Sequence, residues 1–137
     1  FKYNRKSKGI EFSDDITIEY LWQLYEKQFG KCAISGILIL LNPQWSKQNK
    51  GKVTKVIQTA SIDRIDNSKG YIKGNIQWVH KDINFMRGGL SINEFIAFCG
   101  QVVKNNNNFD INNINFDDEQ FLGKRKYFNS IKNKNYG

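Results

Sequence analysis

Between Ser61 and Arg87 the chain reads SIDRIDNSKGYIKGNIQWVHKDINFMR, and this stretch holds the side chains most able to do chemistry together. Asp63 offers a carboxylate, Asn84 a carboxamide oxygen and His80 an imidazole, while Arg64, Lys81 and Arg87 offer cations. The pattern predicts a strand ending near Asp63 and Arg64, a turn, a second strand, and a short helix carrying Asn84. Two antiparallel strands against one helix bring a carboxylate and a side-chain oxygen to one divalent ion. Oxygen ligands of this kind suit a hard ion, Mg²⁺ or Mn²⁺. So few protein ligands leave coordination positions for phosphate and water, as phosphodiester hydrolysis requires.

The elements around the stretch follow from local signals. Residues 1 to 15 are polar and basic and read as an arm. Thr17 caps a helix whose Ile18, Leu21, Trp22, Tyr25 and Phe29 recur at helical spacing and pack on a core, and Gly30 ends it. Cys32 to Gly36 reads as a turn before an extended apolar run, Ile37 to Leu41. Residues 42 to 56 read as a lysine-rich loop or a loosely paired hairpin. Strands are expected over Val56 to Ile65 and Gly74 to Val79, separated by the turn Asn67-Ser-Lys-Gly70. A helix runs from His80 to Arg87 and closes at Gly88-Gly89. Ser91 and Glu94 form a capping box for a helix to about Lys104, with Ile92, Phe95, Ile96, Cys99, Val102 and Val103 on its apolar side. Asparagines 105 to 108 break that pattern, and an Asn-rich tail with a basic end follows, read either as an ordered extension with a helix near Asp118 to Leu122 or as a partly disordered tail.

The segment resembles the ββα-metal (His-Me finger) core of HNH endonucleases. The resemblance covers about a fifth of the chain and rests on joint spacing, not on any one residue. It implies that Asp63 is the first metal ligand, that Asn84 is the metal ligand from the helix, and that Asn75 is the structural asparagine tying the loop to the strands. It also implies an α+β fold, with a nuclease domain over 1–104 (motif core 56–88) and an Asn-rich, basic extension over 105–137. The expected substrate is DNA, double-stranded DNA above all, because family members insert this cradle at the minor groove. The alternatives are an RNA-directed nuclease and a nucleic-acid-binding module that has lost catalysis.

Two departures from the family pattern bear on mechanism. Zinc-binding cysteine pairs are absent, with Ser35 standing where the second cysteine of a first pair would be, so no structural zinc is expected and an apolar core must hold the fold. Arg64 follows Asp63 where the family usually has a histidine base. A guanidinium cannot take a proton at neutral pH, but it can bind the scissile phosphate or stabilise transition-state charge. Three candidates for the base stay open. His80 lies one helical turn before Asn84, and imidazole suits proton transfer near neutral pH; its structural alternative is a helix cap. Tyr71 is the second, since a tyrosine base has precedent in variants carrying Asp-Arg; its alternative is a packing aromatic after Gly70. The third is a water on the ion that needs no dedicated side chain. Asp66 reads as a turn former, Asp82 as part of a solvated helix face, and Trp78 as core.

The whole chain agrees with a polyanionic partner. It has 137 residues, 21 Lys and Arg against 13 Asp and Glu, and a formal net charge of +8. Lys47, Lys50, Lys52, Lys55, Lys81 and Arg87 are the candidate phosphate contacts, and such contacts add affinity without reading sequence. Cys32 and Cys99 are expected as buried thiols in a reducing, cytoplasmic setting. No apolar run is long enough to cross a bilayer, and no secretory signal pattern is present. The chain opens at Phe1 rather than Met, as a fragment of a longer protein would.

Overall fold

The computed structural model describes residues 9–41 and 58–116. Helix α1 spans Ile18–Lys27 and starts where expected, with Thr17 Oγ1 accepting from the Tyr20 amide at 3.1 Å. Glu19 in its first turn and Lys27 in its last both oppose the helix dipole. Phe29 and Gly30 follow at φ 56° and 63°, a left-handed pair that turns the chain back. Leu21, Leu24 and Tyr25 pack half-buried against the core, but Ile18, Trp22 and Phe29 are exposed. The aromatic stripe read as core-facing therefore only partly meets the core.

Cys32 to Ile37 is a tight turn. The Cys32 amide donates to Ile37 O and the Gly36 amide to Cys32 O, and a single antiparallel bridge joins Lys31 to Leu38. Cys32 is buried within an apolar cluster that includes Ile39, Ala60, Trp78 and Val79.

Strands β1 (Ala60–Arg64) and β2 (Ile76–His80) form the two-stranded antiparallel sheet, with Ile62 opposite Trp78 and Asp63 opposite Gln77. Side chains alternate between faces. One face carries Ala60, Ile62 and Trp78, and the Trp78 indole N–H reaches Leu21 O of α1 at 2.8 Å. The other carries Ser61, Asp63, Gln77 and Val79 and receives helix α2 (Lys81–Arg87). Every residue of β2 is buried, because both faces are covered. Its outer edge is satisfied by a side chain: Gln28 donates to Trp78 O and accepts from the Trp78 amide, each at 2.9 Å.

Asn75 holds the loop between the strands. Its side-chain Oδ1 accepts from the Asp66 amide at 2.9 Å, and its Nδ2 donates to Asp66 O and Gly70 O at 3.0 and 2.9 Å. The loop is clasped from outside by residues 11–13, since the Tyr71 amide donates to Glu11 O and the Ser13 amide to Tyr71 O. Gly70 lies at that clasp, where an added Cβ would stand 2.6 Å from both Glu11 Cβ and Glu11 O. Gly70→Ala is therefore expected to destabilise the fold by about 1–3 kcal/mol through enforced backbone movement. A thermal melt checks this, and an unchanged midpoint would contradict the clasp.

Helix α3 (Ile92–Asn105) opens on Ser91, whose Oγ accepts from the Glu94 amide at 3.1 Å. Its apolar side does not become core: Phe95 is its only buried residue, while Ile96, Val102 and Val103 are exposed. Cys99 is exposed as well, which corrects its assignment as a buried thiol. The helical period fixes which residues share a face, but not whether another layer covers that face. The chain continues into a 3₁₀ turn, Ile111–Asn113, capped by Asp110. The first residues of the expected β1, the lysine-rich loop, residues 1–8 of the N-terminal arm and the expected helix near Asp118 lie outside the described residues. Among the described residues no helix is long and apolar enough to cross a membrane.

Candidate metal and phosphate site

A cavity of about 570 Å³ opens beside β1 and α2, lined by Ser61, Asp63, Arg64, Asn67, Tyr71, Lys81, Asn84 and Phe85 among others. Asp63, opposite Gln77 in the sheet, lines it and is only 6% exposed. Both hydrogen bonds to its carboxylate fall on Oδ2, from Gln77 Nε2 at 3.1 Å and from Arg87 Nη1. Oδ1 takes none among the described residues, so it is the oxygen the carboxylate can offer to a ligand.

Arg87 is the largest of the fully buried side chains, 1% exposed. Besides Asp63 Oδ2, its guanidinium donates to Arg64 O at 2.7 Å, Ile65 O at 3.0 Å and Leu90 O at 3.0 Å. It thereby joins the end of β1, helix α2 and the turn after it. This removes Arg87 from the candidate phosphate contacts: its donors are spent inside the protein, where a nucleic acid cannot reach.

Asn84 stands on α2 one turn before Arg87. Its Nδ2 donates to Ser61 Oγ at 2.8 Å and lies 3.5 Å from Ile62 O. Pinning the nitrogen fixes the amide plane and leaves the Asn84 Oδ1 without a hydrogen bond among the described residues. Asp63 and Asn84 are thus alike: one side-chain atom is anchored to the scaffold and one oxygen is left over, in the same cavity.

Arg64 lies across the cavity wall. Its Nη1 donates to Asn67 O and Lys69 O at 3.1 and 3.0 Å, and its Cζ stands 5.4 Å from the Tyr71 ring centroid. The remaining guanidinium nitrogens have no hydrogen bond among the described residues. Tyr71 is buried, with its ring stacked on Phe12 at 5.4 Å between centroids. It therefore packs, and it also lines the cavity. Lys81 lines it from the first residue of α2.

His80 is not brought to the cavity. It faces Ala60, three residues along β1 from Asp63 and roughly 10 Å away along the strand. It is 4% exposed and caps α2, its Nδ1 accepting from the Asp82 amide at 3.1 Å. Asp82 is turned toward the same ring, at 3.8 Å. Asp66 makes a turn with Ser68, whose hydroxyl and amide donate to Asp66 Oδ1 at 2.6 and 2.9 Å. The Ser68 hydroxyl above all, then its amide and the nearby Lys69, hold the Asp66 carboxyl below its ordinary value.

Lys47, Lys50, Lys52 and Lys55 lie outside the described residues. Sequence reasoning missed Gln77, Ser61 and the interior position of Arg87. The strand register carries the signal for the first two: Gln77 is the cross-strand neighbour of Asp63, and Ser61 shares the Asp63 face. No family model, curated protein or solved structure matches the chain.

Proposed function

We propose that the chain is a metal-dependent endonuclease of the HNH type that hydrolyses phosphodiester bonds in DNA, with a ββα-metal core formed by β1, β2 and α2. The observation that carries this reading is the matched pair of unengaged oxygens, Asp63 Oδ1 and Asn84 Oδ1, in one cavity with Arg64 and Lys81 on its lining. The donor set fits Mg²⁺ or Mn²⁺: one carboxylate and one amide oxygen, both hard, on side chains locked from behind. Such an ion would polarise the phosphate and stabilise the leaving 3′ oxygen.

The chain's own residues do the rest. Asp63 and Asn84 hold fixed positions because Arg87, Gln77 and Ser61 restrain their other atoms. Lys81 and the unengaged nitrogens of Arg64 bind and orient the phosphate, and Arg64 remains in place to neutralise transition-state charge. Burial, capping and distance argue against His80 as the base. Tyr71 is the side-chain candidate that reaches the cavity, and a water that would lose its proton to solvent rather than to a side chain is the alternative.

The test is nicking of supercoiled plasmid in Mg²⁺ or Mn²⁺, with and without chelator. Cleavage that appears with the ion and vanishes with EDTA is expected, as is retention of activity within a few-fold in His80→Asn. An absence of metal-dependent nicking under every condition would leave the rival reading, a nucleic-acid-binding module without catalysis, in which Arg87 neutralises Asp63 for stability alone. Cleavage of RNA but not plasmid would change the substrate and keep the chemistry.

A further inference from the structure

We propose that a nucleic-acid phosphate enters this cavity first and completes the cation site, so that a divalent ion binds tightly only in its company. The inference rests on the nuclease reading and concerns the order in which that site fills.

The balance of charge carries it. Asp63 is the one carboxylate among the described residues lining the cavity, and Arg87 touches it from behind. Arg64 and Lys81 stand on the same lining. The nearby acids are turned elsewhere, Asp66 to Ser68 and Lys69, and Asp82 to His80. Among the described residues, a divalent cation approaching the protein alone therefore meets one carboxylate already paired with a guanidinium, neutral oxygens such as that of Asn84, and two further cations. Like charges repel it, and among the described residues a single, already paired carboxylate is the one charged oxygen ligand on offer to replace its water.

A phosphodiester meets the reverse. Arg64 and Lys81 attract it, and Arg64 has donors left to bind it. Once bound, a non-bridging phosphate oxygen adds both a ligand and a negative charge beside Asp63 and Asn84. Linkage is reciprocal, so whatever factor the phosphate adds to ion affinity the ion adds to phosphate affinity.

The experiment measures Mn²⁺ binding by electron paramagnetic resonance, for the chain alone and for the chain with a short DNA duplex, each corrected for duplex alone. The duplex should raise Mn²⁺ affinity by about tenfold or more, and Asp63→Asn should erase that gain. Fluorescence anisotropy should show the duplex bound in EDTA, with an affinity that falls as salt rises. Lys81→Gln should shift the two affinities in opposite directions, tightening Mn²⁺ on the chain alone and weakening the duplex in EDTA. Equal Mn²⁺ affinity with and without duplex, or no duplex binding in EDTA, overturns the order of binding and leaves the nuclease reading standing. Mn²⁺ uptake no greater than that of Asp63→Asn in either state overturns both.

Discussion

Replacing Arg87 with Met is expected to destabilise the protein by about 3–5 kcal/mol, the usual cost of leaving one charge of a buried ion pair without its partner. The reason is local. Asp63 would keep only Gln77 as a donor to its buried Oδ2, and the carbonyls of Arg64, Ile65 and Leu90 would each lose a hydrogen bond. Urea unfolding measures the loss as a shift in midpoint at constant slope. Removing both charges, with Asp63→Leu beside Arg87→Met, should recover much of the deficit, because an apolar pair leaves no uncompensated charge. A loss below about 1 kcal/mol in the single variant would mean that Arg87 is not the post on which strand, helix and turn are hung.

The second large effect is on the chemistry proposed above, and it holds only if the chain is the nuclease we propose. Asn84→Ala should slow plasmid nicking by about 10²-fold or more, the scale on which one fixed electrostatic group contributes to a transition state. Its cost in stability should stay near 1 kcal/mol, since the bond to Ser61 Oγ is the main one lost and the side chain is only partly buried. Asp63→Asn should slow nicking at least as much while keeping an acceptor for Arg87. The double variant should be little worse than either single one, because groups that act as a unit are not additive. Nicking within a few-fold of the parent in Asn84→Ala would remove that residue from the proposed ion site.

What could be read from the sequence was local or fixed by register. Thr17, Ser91 and Glu94 announce their helices because a cap is a contact within four residues. The strand–turn–strand–helix order puts Asp63 and Asn84 beside one another without further information. Arg87 could not be read this way. Arginine is among the residues least often buried, and its burial depends on carbonyls at the end of β1, more than twenty residues earlier. Helix α3 shows the opposite failure: its periodicity is clear, and it predicted a core contact for Cys99 and Ile96 that the structure does not make. Periodicity describes one surface only, and packing needs two. His80 lay between these cases, since a residue at a helix start can cap or catalyse; the structure shows the cap, with the ring's Nδ1 accepting from the Asp82 amide.

The amide of Gln28 has a consequence beyond α1. A sheet of two strands exposes two edges, and an uncovered edge invites pairing with another chain. Along β2 the Trp78 amide and carbonyl are already taken by the Gln28 side chain, and the Ala33 amide donates to that same carbonyl at 2.9 Å. One side chain thus imitates the next strand of the sheet and ends it there. Pairing of another strand along β2 is thereby blocked at its middle residue.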